Sequence, residues 1–207
     1  MLRLYGFLPS GNDYKIRLLL TQLAIPWERV EINILKGESR TPEFLSKNPN
    51  GRIPVLETEN GQFLAESNAI LFYLSEGTKF LPKDKFEQAK VMEWLFFEQS
   101  SHEPYIATSR YWISILGKEN EYRDAIQQKR EPGYAALSVM EQHLTNHNFF
   151  VSDRYTIADI SLFAYTHVAD EGGFNLTRFP AIQAWLKRVQ AQPRYISILK
   201  GSKFMGV

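Results

Sequence analysis

Arg52-Ile53-Pro54-Val55-Leu56-Glu57 and Gln62-Phe63-Leu64-Ala65-Glu66-Ser67-Asn68-Ala69-Ile70-Leu71 are the two stretches whose reading decides the fold. Between them stands Asn60-Gly61, a dipeptide suited to a tight hairpin turn with positive φ at both central positions. Two short apolar runs joined in this way read as an antiparallel strand pair. The second run passes through Glu66 into a helix from about Ser67, with Ile70, Leu71 and Leu74 at helical spacing.

Working outward toward the N-terminus, Leu2, Leu4 and Gly6-Phe7 make a short strand, and Pro9-Ser10-Gly11-Asn12 is turn chemistry. Ile16, Leu19, Leu20 and Leu23 then recur as one helix face. A second strand spans about Trp27 to Ile32, and Thr41-Pro42-Glu43 starts another helix with a hydroxyl cap, an N1 proline and a first-turn acid. Residues 1–76 therefore read as βαβαββα, a small mixed sheet with helices on its faces. From Gly77 to Asp84 glycine, proline and charge cluster without period, as in a linker. Beyond it only helical patterns occur: about 85–116 with a bend at Pro104, 121–145 with Pro132-Gly133 inside, 156–169, and 180–192. The expected fold class is α/β plus all-α, with an α/β domain over 1–76, a linker over 77–84 and a helical domain over 85–207. Tyr155-Thr156-Ile157-Ala158-Asp159-Ile160 is the best-signalled helix start, a capping box with Tyr155 stapled onto Ile160.

Composition narrows the chemistry. Twenty-four Lys and Arg against 23 Asp and Glu leave a net charge of +1 over 207 residues, so no overall pull toward nucleic acid or anionic membrane is expected. The absence of cysteine excludes a disulfide framework, a thiolate zinc site and a protein-thiol nucleophile. Any sulfur chemistry must use sulfur brought by a substrate. No window approaches a membrane span, and Met1-Leu2-Arg3-Leu4-Tyr5-Gly6 lacks the features of a signal peptide. These features point to a soluble, cytoplasmic protein.

Four features of the first half carry candidate chemistry. Ser10 and Asn12 sit at a helix start, where an anion is favoured; the same residues also suit simple capping. Ile53-Pro54 opens a strand with one ladder donor missing. That is either an ordinary edge proline or a way to leave the Ile53 backbone free for an extended ligand, a presentation that a cis bond favours. Ser67 as N-cap, with Glu66 beside it, suits an α-amino acid zwitterion or a cap with a solvated acid. Arg40 and Arg52 supply positive charge. Together these describe a site for a small peptide with a zwitterionic end, an extended middle and a sulfur near the hydroxyl.

In that combination the chain resembles the glutathione S-transferase superfamily, most closely its bacterial serine-type, theta- and nu-like classes. The resemblance extends to Leu64 through Leu74, to Thr156-Ile157-Ala158-Asp159 and to Phe179-Pro180-Ala181-Ile182-Gln183-Ala184-Trp185. It implies a thioredoxin-like glutathione-binding domain followed by a helical domain, a homodimer, and a detoxifying transferase with glutathione as co-substrate and no metal. By the same resemblance Ser10, with Asn12, activates the glutathione thiol. Ile53, before the cis-proline Pro54, pairs with the cysteinyl backbone. Glu66 and Ser67 hold the γ-glutamyl end, and Arg52, with Arg40 or Ser39, meets the glycyl carboxylate. The nu pattern Thr-Pro-Asn is here Ser10-Gly11-Asn12, which leaves glutathione-dependent disulfide-bond reductase or peroxidase activity as an alternative. Tyr5 is the competing activator, since other classes use a first-strand tyrosine.

The helical domain is expected to contribute a pocket for a small hydrophobic electrophile, walled by Tyr105, Ser109 and Trp112, with Tyr111 a further candidate; aromatics at this spacing also serve as core. His143 and His147 have i,i+4 spacing without an acidic partner and read as a helix end, not a metal site. A function of another class, a non-catalytic interaction module on the same fold, is the remaining alternative.

Overall fold

The computed structural model describes residues 1–199. The chain divides into two compact units: one is Met1–Glu76 together with residues 193–199, the other Gly77–Gln192.

The first unit is built on β1 (Leu2–Gly6), β2 (Trp27–Glu31), β3 (Val55–Glu57) and β4 (Phe63–Ala65), in the order β2-β1-β3-β4. β1 and β2 are parallel; β1–β3 and β3–β4 are antiparallel, with Tyr5 opposite Val55 and Val55 opposite Ala65. Side chains alternate across the sheet. Tyr5 and Val55 thus share one face, where they pack with Phe44 of α2 (Pro42–Leu45), while Leu4 and Leu56 are fully buried on the other. α1 (Gly11–Leu23) packs against α3 (Ser67–Ser75). The mixed sheet with flanking helices is the arrangement expected for 1–76.

The β3–β4 turn differs from the tight two-residue form. Gly61 has φ +75°, but Asn60 stays out of the left-handed region. Gly61 N–H donates to Thr58 O at 3.0 Å and Thr58 N–H to Gln62 O at 2.8 Å. This is the longer hairpin loop in which a turn is followed by one left-handed glycine in a bulge, so only one of the two residues needs positive φ.

The second unit is helical: α4 (Lys85–Phe97), α5 (Glu103–Arg110), α6 (Arg123–Leu144), α7 (Ile157–Thr166) and α8 (Pro180–Gln190). The bend expected at Pro104 takes the form of a π-helical turn over Glu98–His102, ending just before the proline-bearing first turn of α5. A proline cannot donate into the preceding turn, and widening that turn accommodates the loss. All ten residues of α7 are buried. Its capping box forms as expected: Thr156 Oγ1 accepts from Ala158 N–H, and Asp159 accepts from Thr156 N–H at 2.9 Å. Asp159 also accepts from Trp185 Nε1 at 2.9 Å and Phe150 N–H at 3.2 Å, tying α7 to α8 and to the loop before it.

After α8 the chain returns to the first unit. Tyr14 donates its hydroxyl to Ile196 O at 2.7 Å, and Arg17 Nη2 donates to Ile198 O at 2.8 Å. Residues 193–199 thus pack with the α/β unit. Among the described residues no helix is long and apolar enough to cross a membrane.

Candidate functional site

Ser10 is the N-cap of α1. Its Oγ accepts from Asp13 N–H at 3.4 Å, and its carbonyl accepts from Tyr14 N–H at 2.9 Å. The cap uses a lone pair on the side-chain oxygen; among the described residues the hydroxyl proton has no acceptor. Capping and donation to an anion are therefore compatible in this residue.

Asn12, in the first turn of the same helix, accepts at Oδ1 from Ser67 Oγ at 3.2 Å. This bond connects the start of α1 to the start of α3. Ser67 is not the N-cap expected for it: α3 begins at Ser67, and the cap is Glu66, with φ +66° and no side-chain cap bond. Ser67 is 4% exposed, and its hydroxyl, freed from capping, joins Asn12 and Lys15, whose Nζ donates to Ser67 Oγ at 3.3 Å. A non-glycine residue in the left-handed region is strained by roughly 1–3 kcal/mol, a condition that clusters at ligand sites.

The Ile53-Pro54 bond is cis. Ile53 packs its side chain against the Tyr5, Phe44 and Val55 cluster. Among the described residues its backbone N–H and C=O make no hydrogen bond. Pro54 is buried. Arg52 is exposed, and its carbonyl accepts from Asn48 Nδ2 at 2.8 Å. Arg40 is tied down by donating from Nη1 to Asn50 O at 2.9 Å. It lies so close over Gly51, φ +63°, that a Cβ there would collide with the guanidinium. Ser39 is buried beside it.

Tyr5 is committed elsewhere. Its hydroxyl donates to Glu57 Oε2 at 2.6 Å, and burial, with that carboxylate, pushes the phenol up to about 12. A phenol whose proton already serves a carboxylate is a poor donor to a ligand thiolate.

Sequence reading missed three charged residues of α1. Lys15 and Arg17 are fully buried, as is Asp13, which pairs with Arg17 at 2.6 Å. Burial pushes the Asp13 carboxyl up to about 6, against the pull of Arg17 and Arg29. Arg17 also donates to Leu8 O at 2.9 Å, which braces the turn that carries Ser10. The available signal was the run Tyr14-Lys15-Ile16-Arg17-Leu18-Leu19-Leu20, too apolar around its charges for a half-exposed helix.

In the helical unit, Tyr105 and Trp112 flank Lys129, whose Nζ lies 5.6 and 5.5 Å from their ring centroids. Trp112 also stacks on Tyr122 at 4.8 Å. Ser109 is fully buried and returns its hydroxyl to Tyr105 O at 2.8 Å, so it presents nothing to a pocket. Tyr111 is half-buried. His143 is not a simply solvated helix end: it lies 4.5 Å from His147, ring to ring, and contacts Trp94 and Phe150. Burial lowers its pKa.

Comparison with known proteins gives the family. The glutathione S-transferase N-terminal domain matches residues 1–76, and the C-terminal domain matches residues 102–193. The chain belongs to the glutathione S-transferase family. It is similar to a glutathione S-transferase from Pseudomonas fluorescens, at 50% identity and a TM-score of 0.94 over 96% of this chain and 99% of that one. Protein URE2 of Candida glabrata is 30% identical over 96% of this chain and 67% of its own length. A glutathione transferase from Burkholderia graminis, solved with two glutathione molecules bound per subunit, is 27% identical with a TM-score of 0.84, over 98% of this chain and 88% of that one.

Proposed function

We propose that the protein transfers glutathione to a small hydrophobic electrophile, with Ser10 holding the bound thiol as a thiolate. The observation that carries this reading is the Ser10–Asn12–Ser67 arrangement. A hydroxyl with an uncommitted proton lies at the start of α1, and Asn12 links that turn to the Glu66-Ser67 corner of α3. Glutathione spans those points as an extended tripeptide: thiol at Ser10, cysteinyl backbone at Ile53, γ-glutamyl group at Glu66 and Ser67, glycyl carboxylate toward Arg52 and Arg40.

The magnitudes suffice. A thiol near pKa 8.5 needs about 2.7 kcal/mol of preference for its anion to move down two units. A hydrogen bond to a charged acceptor supplies roughly 1.5–3 kcal/mol and a helix N-terminus roughly 0.3–1 kcal/mol. The thiol proton leaves to solvent. The thiolate then forms a sulfur–carbon bond as the leaving group departs with its electron pair, or adds to an activated double bond, whose displaced electron pair takes a proton from solvent.

Reduction of a mixed disulfide is the second reading. The same thiolate attacks one sulfur of the disulfide and expels the other as a thiolate, which takes a proton; a second glutathione thiolate then attacks the glutathione sulfur of the new disulfide, releasing the remaining thiolate and glutathione disulfide. The Burkholderia relative with two bound glutathione molecules supports it. Initial rates with glutathione and an aryl halide, a hydroperoxide or a mixed disulfide separate the readings: the first predicts turnover of the halide, and turnover of the disulfide alone would contradict it. Failure to bind immobilised glutathione would instead favour a non-catalytic module. A cytoplasmic, detoxifying homodimer belongs to the same proposal; exposed Phe63, Phe72 and Tyr73 of β4 and α3 support the association.

A further inference from the structure

Lys15 is a buried cation at a point where a ligand anion is expected. It is fully buried in α1, and its Nζ donates to Ser67 Oγ at 3.3 Å. That hydroxyl has one proton, now given to Asn12 Oδ1 at 3.2 Å. Ser67 is itself 4% exposed and opens α3 directly after the strained Glu66. An ammonium withdrawn from water is a large local charge, felt strongly by groups nearby. A hydroxyl that accepts from a cation also becomes a stronger donor, because bonds in a chain polarise one another.

We propose that Lys15 is a positioning residue for ligand recognition: it fixes and polarises the Ser67 hydroxyl, making it the reader of the α-carboxylate on a γ-glutamyl group. This rests on the glutathione reading above. On binding, the Ser67 proton turns from Asn12 Oδ1 to the ligand carboxylate, while Lys15 keeps the oxygen in place. Lys15 does not touch the ligand; its charge acts through Ser67. The site then favours γ-glutamyl peptides over otherwise identical peptides that lack this carboxylate.

The test compares glutathione with the tripeptide in which 4-aminobutanoate replaces γ-glutamate, the same molecule without that carboxylate. Equilibrium binding of both is measured for the full-length wild type, Lys15→Met and Lys15→Arg. Wild type is expected to bind glutathione about tenfold or more tightly than the analogue, the size of a charge-assisted hydrogen bond. Lys15→Met is expected to lose that preference by weakening glutathione alone, raising KM for glutathione with kcat unchanged, and Lys15→Arg to restore much of it. Equal weakening of both ligands in Lys15→Met would make Lys15 a packing residue only and overturn the proposal, as would unchanged binding of both. A wild-type preference under twofold overturns it without any variant, so poor folding of Lys15→Met leaves the question decidable. A wild type that binds neither peptide overturns the glutathione reading itself, a result distinct from all of these.

Discussion

At Ser10 the lone pair and the proton of one hydroxyl have separate uses. The lone pair takes Asp13 N–H, and the proton has no acceptor among the described residues. Tyr5, the rival on β1, gives its proton to Glu57, and its pKa is pushed up to about 12. Glu66 shows strain kept at the corner between β4 and α3, with φ +66° in a residue that has a Cβ. Two substitutions separate its backbone from its carboxylate. Glu66→Gly and Glu66→Ala both remove the acid and should weaken glutathione binding, but only glycine relieves the backbone. Glu66→Gly should therefore be more stable than Glu66→Ala by about 1 kcal/mol in denaturant unfolding. Equal stabilities would mean that the position is not strained.

The hairpin and α7 show what local signals resolve at the scale of an element. Asn60-Gly61 marks the β3–β4 turn correctly but not its type, because the same dipeptide fits a two-residue loop or a longer loop with one left-handed glycine. The capping box of α7 is legible in Thr156 and Asp159 because its bonds lie within four residues. What Asp159 does beyond the cap depends on Trp185 and Phe150, which no local pattern connects to it. Burial pushes the Asp159 carboxyl up to about 6 from 3.8, against the bonds it accepts. The folded protein thus holds this proton more tightly than the unfolded chain. Its contribution to stability is full below pH 3.8 and is lost as pH rises through about 6. Asp159→Asn should remove up to about 1.4 kcal/mol per pH unit of that decline between pH 4 and 6. Urea unfolding across this range checks it; identical pH slopes in wild type and variant would show that Asp159 is not held protonated.

For the whole molecule, the order strand, helix, strand, helix, hairpin, helix and the all-helical second half are legible from periodicity and turn chemistry. The candidate site is legible where its residues define a local event: a helix start at Ser10, a strand start at Pro54, a strand-to-helix corner at Glu66. The rest was hidden because it depends on distant chain. Lys15 meets Ser67 across 52 positions, and Arg17 meets Ile198 across 181. The second contact makes 193–199 part of the α/β unit, although the helical patterns before it suggested otherwise. Absence of cysteine requires the reacting sulfur to come from a ligand, and the proposed function makes Ser10 the group that holds it as an anion. The most direct measurement is a pH titration of the thiolate absorbance of glutathione bound to wild type and to Ser10→Ala. A bound thiol about two units below its free value in wild type, moving back toward 8.5 in the variant, is the predicted result; the same thiol pKa in both proteins would contradict the account.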